Sequence, residues 1–411
     1  MSLAVPVAVV GAGAAGLMAA ISAATHGAAV TVLEGTQRVG TKILMSGGTR
    51  CNVTHDFVSA ADYYGGSRNV TKRLLHEFSH EDARKFFVEE LGVGLKREET
   101  GKLFPETDDA QTVLDALLAR ANALGVVILT GRKVTAIAGP VPWRLTTSAG
   151  EVVADRVILT TGGLSFPGTG SDGTGYALAR SLGHSMVPTT PALTPLVARG
   201  GIHERLRGVT LDVALTVRVS GKKVWEGAGS FLFTHFGYSG PVVLDASRHV
   251  ARAEGAFTVT ASFLPGRDAK AFDAQMLSES KREPRRTVLN ALAGRLPESL
   301  AWELVAYAGV PADRMLGQLR KDERWALARA VTEYELPVLE VMGYKKAEVT
   351  AGGIPIDEID PRTMESRLAP GLHLAGEILD TDGRLGGYNF QWAWSTGHVA
   401  GRSAAGPIRR P

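Results

Sequence analysis

"VPVAVVGAGAAGLMAAISAATHGAAVTVLE", residues 5–34, decides the fold. An apolar β-branched run, a glycine turn, a helix of small residues and a second β-branched run follow in order. The first run is apolar without alternation, as a parallel strand buried on both faces should be. Gly11, Gly13 and Gly16 form G-x-G-x-x-G at the strand-to-helix junction. Gly11 permits the tight turn, Gly13 lets backbone approach a pyrophosphate, and Gly16 lets the helix lie close on the strand. The first helical turn, through Ala12, Ala14 and Ala15, turns free N–H groups toward the phosphates. Gly27 ends the helix. Glu34 closes the second strand, where an acidic side chain accepts a ribose hydroxyl. This is a Rossmann-like βαβ unit for a dinucleotide. The acid favours FAD or NAD over NADP and does not separate the first two.

Working outward, "GTQRVGTKILMSGGTRCNVTH" (35–55) reads as a polar, glycine-rich loop beside that site. A plain NAD domain moves on to its next crossover helix, so this loop suggests a longer ligand cradled at its other end. Gly47, Gly48, Cys51 and Asn52 lie in the loop, and Lys42 and Arg50 can offset phosphate or flavin charge. "DRVILTTGG" (155–163) is a strand ending in a glycine turn. Ligands of open α/β sheets lie at the carboxyl ends of strands, so Thr161, Gly162 and Gly163 are expected near the pyrophosphate. "LHLAGEILD" (372–380) is another buried strand, ending at Gly376 and Glu377. "GRLGGYNFQWAWSTG" (383–397) then opens a second helix on glycines.

The bulk numbers fit this reading. A chain of 411 residues is too long for one simple core, and 45% hydrophobic with 21% charged residues describes a globular protein. A net charge of +3 is no general polyanion-binding signature. The short basic clusters 199–208 and 281–286 read as solvated surface. The single cysteine excludes an intrachain disulfide and fits a reducing, cytoplasmic setting. Residues 1–33 carry no Asp, Glu, Lys or Arg, yet they have no basic n-region, and three glycines break the run. They read as core, with neither a signal peptide nor a membrane span. No His/Cys cluster has metal-ligand spacing, so no metal is expected. "GYSGP" is no nucleophile elbow, because Pro241 replaces the last glycine.

Five ordered blocks carry a family resemblance: "KILMSGGTRCNVTH" (42–55), "LTTGGLSFPGTGSDGTGYALARSLGH" (159–184), "FLFTHFGYSGPVVLDAS" (231–247), "AEVTAGGI" (347–354) and "GEILDTDGRLGGYNFQWAWSTG" (376–397). Together they resemble the HI0933-like (BaiN/YhiN-type) flavoproteins, described as NAD(P)/FAD-dependent or aminoacetone-oxidase-like enzymes. Thr49 departs from the pattern, standing where the family usually has a third glycine. The resemblance implies an α/β FAD-binding domain in two parts, 1–190 and 346–411. Between them, 191–345 would be an inserted substrate-side domain, β-rich and partly helical. The patterning of the insert agrees. Residues 211–227 read as a hairpin, 253–266 as a strand, and 281–305 as helical with breaks at Pro284 and Pro297.

The resemblance also implies roles. The backbone at Val134 faces the adenine, and Glu377 faces the ribitol and a phosphate. The helix after Gly386 and Gly387, with Tyr388 and Asn389, faces the flavin ring. A reduced flavin carries negative charge at its N1/O2 edge, which a helix N-terminus stabilises. On this reading Gly387→Val weakens FAD retention or shifts the cofactor's reduction potential, with the fold intact. Cys51, His235 and Tyr388 are the candidate catalytic groups, with packing as the alternative role for each. The expected activity is FAD-dependent reduction of an activated C=C bond. NAD(P)H would be a transient donor, since no second G-x-G-x-x-G appears. The alternatives are a flavin amine oxidase and an rRNA-directed, dihydrouridine-forming or RNA-associated flavoprotein.

Overall fold

The computed structural model describes residues 3–406. The chain divides into two compact units, 1–191 with 347–411, and 192–346.

The first unit is built on strand β1 (Leu3–Val10), helix α1 (Ala14–Thr25) and strand β2 (Val30–Leu33). Helix α2 (Ala110–Ala123) leads to β3 (Val127–Leu129). Strands β4 (Val134–Ala138), β5 (Trp143–Thr147) and β6 (Gly150–Leu159) follow, and β7 (Leu372–Leu374) and helix α3 (Tyr388–Ala404) come from the C-terminal part. The sheet order is β3-β2-β1-β6-β5-β4, with β7 also paired to β6. Strand β6 does double duty. Its first half pairs antiparallel with β5, and Val157–Leu159 pairs parallel with β7. β1 is parallel to β2 and to β6, so the chain leaves β1 to opposite sides at this point. That reversal is where a doubly wound sheet opens its ligand crevice.

Helix α3 lies directly on α1. A Cβ at Gly397 would fall 2.5 Å from the Ala15 carbonyl oxygen, and one at Gly401 2.2 Å from that of Ala19. Four residues along one helix match four along the other, so the helices run in the same direction. Gly397 is the tenth residue of α3 and Ala15 the second of α1. The start of α3 therefore projects about 12 Å beyond the start of α1, at 1.5 Å per residue.

The second unit is a seven-stranded antiparallel sheet with helices. Thr210–Val219 and Lys222–Thr234 form its central hairpin, turning at Ser220–Gly221. Val213, Leu215, Val217, Val259 and Ala261 face the core beneath helices Ala269–Arg282, Val288–Ala293, Glu298–Tyr307 and Lys321–Thr332. The helical stretch breaks around Pro284 and Pro297, as its prolines dictate. Among the described residues no helix is long and apolar enough to cross a membrane, and no three His, Cys, Asp or Glu are grouped to hold a metal ion.

Candidate functional site

Four parallel strands deliver the candidate residues to one edge of the sheet. Gly11–Gly16 follow β1, Glu34 follows β2, Thr161–Gly163 follow β6, and Gly376–Glu377 follow β7. The glycines of the first turn have distinct jobs. Gly11 has φ +101°, and a Cβ there would lie 2.7 Å from the Thr160 carbonyl oxygen. At Gly16 a Cβ would lie 1.9 Å from the Gly11 oxygen. Gly13 differs: a Cβ would meet nothing within 4 Å. Its bare face opens onto space beside the first N–H groups of α1, as a pyrophosphate cradle requires. Thr160 fastens the turn, its hydroxyl donating to the Val10 and Gly11 carbonyls at 2.9 Å each.

Glu34 is buried and organises the turn as well as ending β2. One carboxylate oxygen accepts from the Ala12 N–H at 2.8 Å. The other accepts from the Thr36 N–H (2.8 Å) and hydroxyl (2.9 Å). Val134 starts β4 with its side chain buried. Gly162 takes φ +70°, and a Cβ at Gly163 would lie 2.4 Å from the Thr350 hydroxyl.

Around Glu377 the structure assembles a polar knot. One of its oxygens accepts from the Ser165 hydroxyl (2.6 Å) and the Thr350 N–H (2.9 Å). The other is paired with Lys42, whose ammonium also donates to Ser165 at 2.5 Å. The Thr350 hydroxyl accepts from the N–H groups of Leu164 and Ser165 at 2.8 and 3.1 Å. Ser165 and Thr350 are fully buried and were not singled out as site residues in the sequence. Both lie in the resembling blocks, but a lone Ser or Thr carries no signal until folding brings residues 42, 165, 350 and 377 together. Gly376, at φ +82°, is wedged between α1 and α3. Its N–H donates to the Thr396 hydroxyl (2.9 Å), and its carbonyl accepts from Trp392 (3.2 Å). A Cβ there would lie 2.8 Å from that of Ala15.

The 35–55 stretch is less open than its composition suggests. Thr41–Met45 is a short helix with Ile43 buried. Beyond it Gly47, Gly48, Thr49 and Cys51 all have positive φ. A Cβ on Gly48 would meet nothing within 4 Å. Arg50 is already spoken for. Its guanidinium pairs with Glu98 (2.7 Å) and Asp108 (3.4 Å) and lies 4.0 Å over the Phe104 ring. Cys51 is fully buried, and burial pushes its thiol up to about 12, leaving it protonated. Asn52, with its amide oriented to suit its neighbours, accepts from the Gly387 N–H (3.0 Å) and donates to the Thr54 carbonyl (2.9 Å).

At the start of α3, Gly386 and Gly387 have φ +128° and +90°. A Cβ on Gly387 would lie 2.6 Å from the Thr54 carbonyl. Gly387→Val therefore disturbs the helix entry itself, and the expectation of an intact fold in that variant is corrected. The close approach that demands this glycine is made by the Thr54 backbone. Asn389 bonds both the N–H and the carbonyl of Gly383, at 2.8 and 2.9 Å. Tyr388 is buried and stacks on His55 with ring centroids 4.9 Å apart. Its hydroxyl accepts from Arg384 at 2.6 Å, and Arg384 is held by Asp62 at 3.0 Å. Trp392 and Trp394 are helix packing, with indole N–H groups on the Gly376 and Val53 carbonyls. His235 belongs to the second unit, exposed in the turn between Lys222–Thr234 and Gly237–Ser239, against Phe236.

The model of the HI0933-like protein Rossmann domain matches residues 5–403. The chain is 35% identical over 403 residues to a 3-dehydro-bile acid delta(4,6)-reductase of Clostridium scindens, covering 97% of this chain and 98% of that protein. It is 33% identical to a ribosomal RNA dihydrouridine synthase of Escherichia coli, covering 94% and 95%. Among solved structures, an open-conformation flavocytochrome c3 fumarate reductase shares the fold at 18% identity. Its TM-score is 0.52, over 98% of this chain and 78% of that one.

Proposed function

The chain belongs to the HI0933-like family, and on that premise we propose that it is an FAD-dependent oxidoreductase that adds hydrogen across an activated C=C bond. NAD(P)H is the proposed reductant. The observation that carries the reading is the parallel, staggered pair α1 and α3. Two glycine-opened N-termini project the same way, about 12 Å apart along their common direction. An extended cofactor with a pyrophosphate at one end and a ring at the other suits that stagger. The residues fit FAD. The α1 amides and the bare face of Gly13 take the pyrophosphate, and Glu34 takes the adenosine ribose. Glu377, held by Lys42, Ser165 and Thr350, takes the ribitol, and the start of α3 faces the ring.

When bound, FAD supplies the hydride. The protein positions the acceptor and supplies a proton. Tyr388 is the proposed donor in this unit, because Arg384 donates to its oxygen and so directs the phenol's own proton elsewhere. Cys51 is assigned packing, since its thiol stays neutral. The two relatives' names both describe hydrogen added across a double bond. A 4,6-dienone and a uracil share a C=C conjugated to a carbonyl, and this is the substrate class proposed here. The E. coli relative's name favours a second reading, in which that carbonyl belongs to a base in RNA.

The test is anaerobic mixing of FAD-loaded protein with NADH or NADPH, followed by an enone, an amine or an rRNA fragment. Bleaching of the flavin by a nicotinamide and recolouring by the enone or the rRNA is expected. A flavin left oxidised by both nicotinamides defeats the donor assignment. Bleaching by the amine, with recolouring in air alone, replaces the reductase with an oxidase.

A further inference from the structure

A small three-stranded sheet packs beside the entry to α3. It comprises Thr54–His55, Leu95–Arg97 and Lys102–Pro105. This corner is rich in cations, and nearly all are neutralised. Arg50 pairs with Glu98 and Asp108, Lys96 with Asp108, Arg97 with Asp56, and Arg384 with Asp62. Lys102 is the exception. It is half-buried, yet among the described residues no carboxylate lies within ion-pairing distance of its ammonium. With no carboxylate beside it, the Lys102 ammonium is available to an anionic partner.

The fold says where that partner would lie. Lys102 sits directly across the strand pair from His55. Both side chains lie against Gly386 together with the Tyr388 ring: a Cβ there would lie 3.2 Å from the Tyr388 Cε2, 3.6 Å from the His55 Cδ2 and 3.7 Å from the Lys102 Cε. His55 in turn carries the Tyr388 ring, the first residue of α3. Lys102 is thus a lone cation aimed at the turn that opens α3.

We propose that Lys102 is the residue that compensates the negative charge gained by the bound flavin on two-electron reduction, acting from the Gly386 turn and setting the cofactor's reduction potential. This rests on the FAD reading above. The ammonium strengthens electron uptake because partly buried unit charges attract far more than the same pair in water. Reduction adds a hydride's two electrons to the ring, and its N1/O2 edge takes the charge. The step needs no proton from Lys102.

The test compares FAD-loaded wild type with Lys102→Met, Lys102→Gln and Lys102→Arg in two measurements that need no substrate. One is sulfite titration, since sulfite addition leaves extra negative charge on a flavin. The other is the two-electron midpoint potential. The neutral variants should bind sulfite at least tenfold more weakly. Their potential should fall by about 30 mV, the shift equivalent to tenfold in a two-electron equilibrium. Lys102→Arg should stay near wild type. Loss of FAD from both neutral variants with retention by Lys102→Arg also places the charge on the cofactor. Neutral variants that hold FAD with unchanged sulfite affinity and potential overturn the inference, as does equal damage in all three. Wild type that takes up no FAD overturns the proposed function itself.

Discussion

Gly397 faces the carbonyl of Ala15 so closely that a Cβ at 397 would sit 2.5 Å from its oxygen. The last helix and the first are therefore one structural piece. Gly397→Val must force α3 off α1, which moves the wedge at Gly376. The expected cost is about 3 kcal/mol or more, as for other overpacked cores. Urea denaturation followed by FAD release should show both losses together. A variant of unchanged stability would mean that the helices can slide apart freely.

Ser165 offers a milder probe. Its hydroxyl bonds Glu377 and receives Lys42. Ser165→Ala removes one hydrogen bond to a carboxylate, worth about 1.5–3 kcal/mol. The protein should be destabilised by a comparable amount, and FAD affinity should fall as Glu377 and Lys42 lose their common anchor. Equilibrium dialysis with FAD checks this, and unchanged affinity would detach the polar knot from the cofactor.

Cys51 should be chemically silent. Its burial and a thiol pushed up to about 12 predict negligible reaction with a disulfide reagent at neutral pH until the protein is unfolded. Cys51→Ala should keep its flavin and its turnover. Rapid labelling of the native protein would refute the packing role.

Thr49 holds φ +71° in a run that is otherwise mostly glycine. Thr49→Gly relieves a left-handed β-branched residue and should stabilise the protein by about 1 kcal/mol. The rise in the denaturant midpoint is the readout.

Acid should weaken the first unit earlier than its carboxylates alone would dictate. Burial pulls His373 down to about 3 and His398 to about 4, with Arg156 and Arg402 adding repulsion. The unfolded histidines titrate near 6.5, so the unfolded chain binds more protons below that value. Stability should therefore fall as pH drops from about 6.5 toward 4, each group contributing up to about 1.4 kcal/mol per pH unit. His398, stacked on Phe78 at 4.7 Å, can be replaced by Phe, which should flatten the slope.

The dinucleotide fold was legible because local chemistry and global position coincide at residues 5–34. An unalternating strand, spaced glycines and a terminal acid each point to the same architecture. Legibility ended where meaning depends on distant partners. Arg50 looked like a phosphate ligand because Glu98 and Asp108, which hold it, are far along the chain. Gly387 looked like a concession to a ligand, whereas the Thr54 backbone already requires it. Ser165 and Thr350 were silent for the same reason, since neither has a recognisable neighbour until residue 377 arrives. Lys102 was hidden in another way: what distinguishes it is the lack of a counter-charge, which no sequence displays.

The split pairing of β6 also orders events during synthesis. Its second partner, β7, and the helix that seals α1 belong to the last forty residues of the chain. The first unit cannot close until residues beyond the insert have been made. Residues 192–346 leave the ribosome whole while their host still lacks an edge strand and a covering helix. Until residues 388–404 are made, α1 presents a bare, alanine-lined flank, and only their arrival covers it.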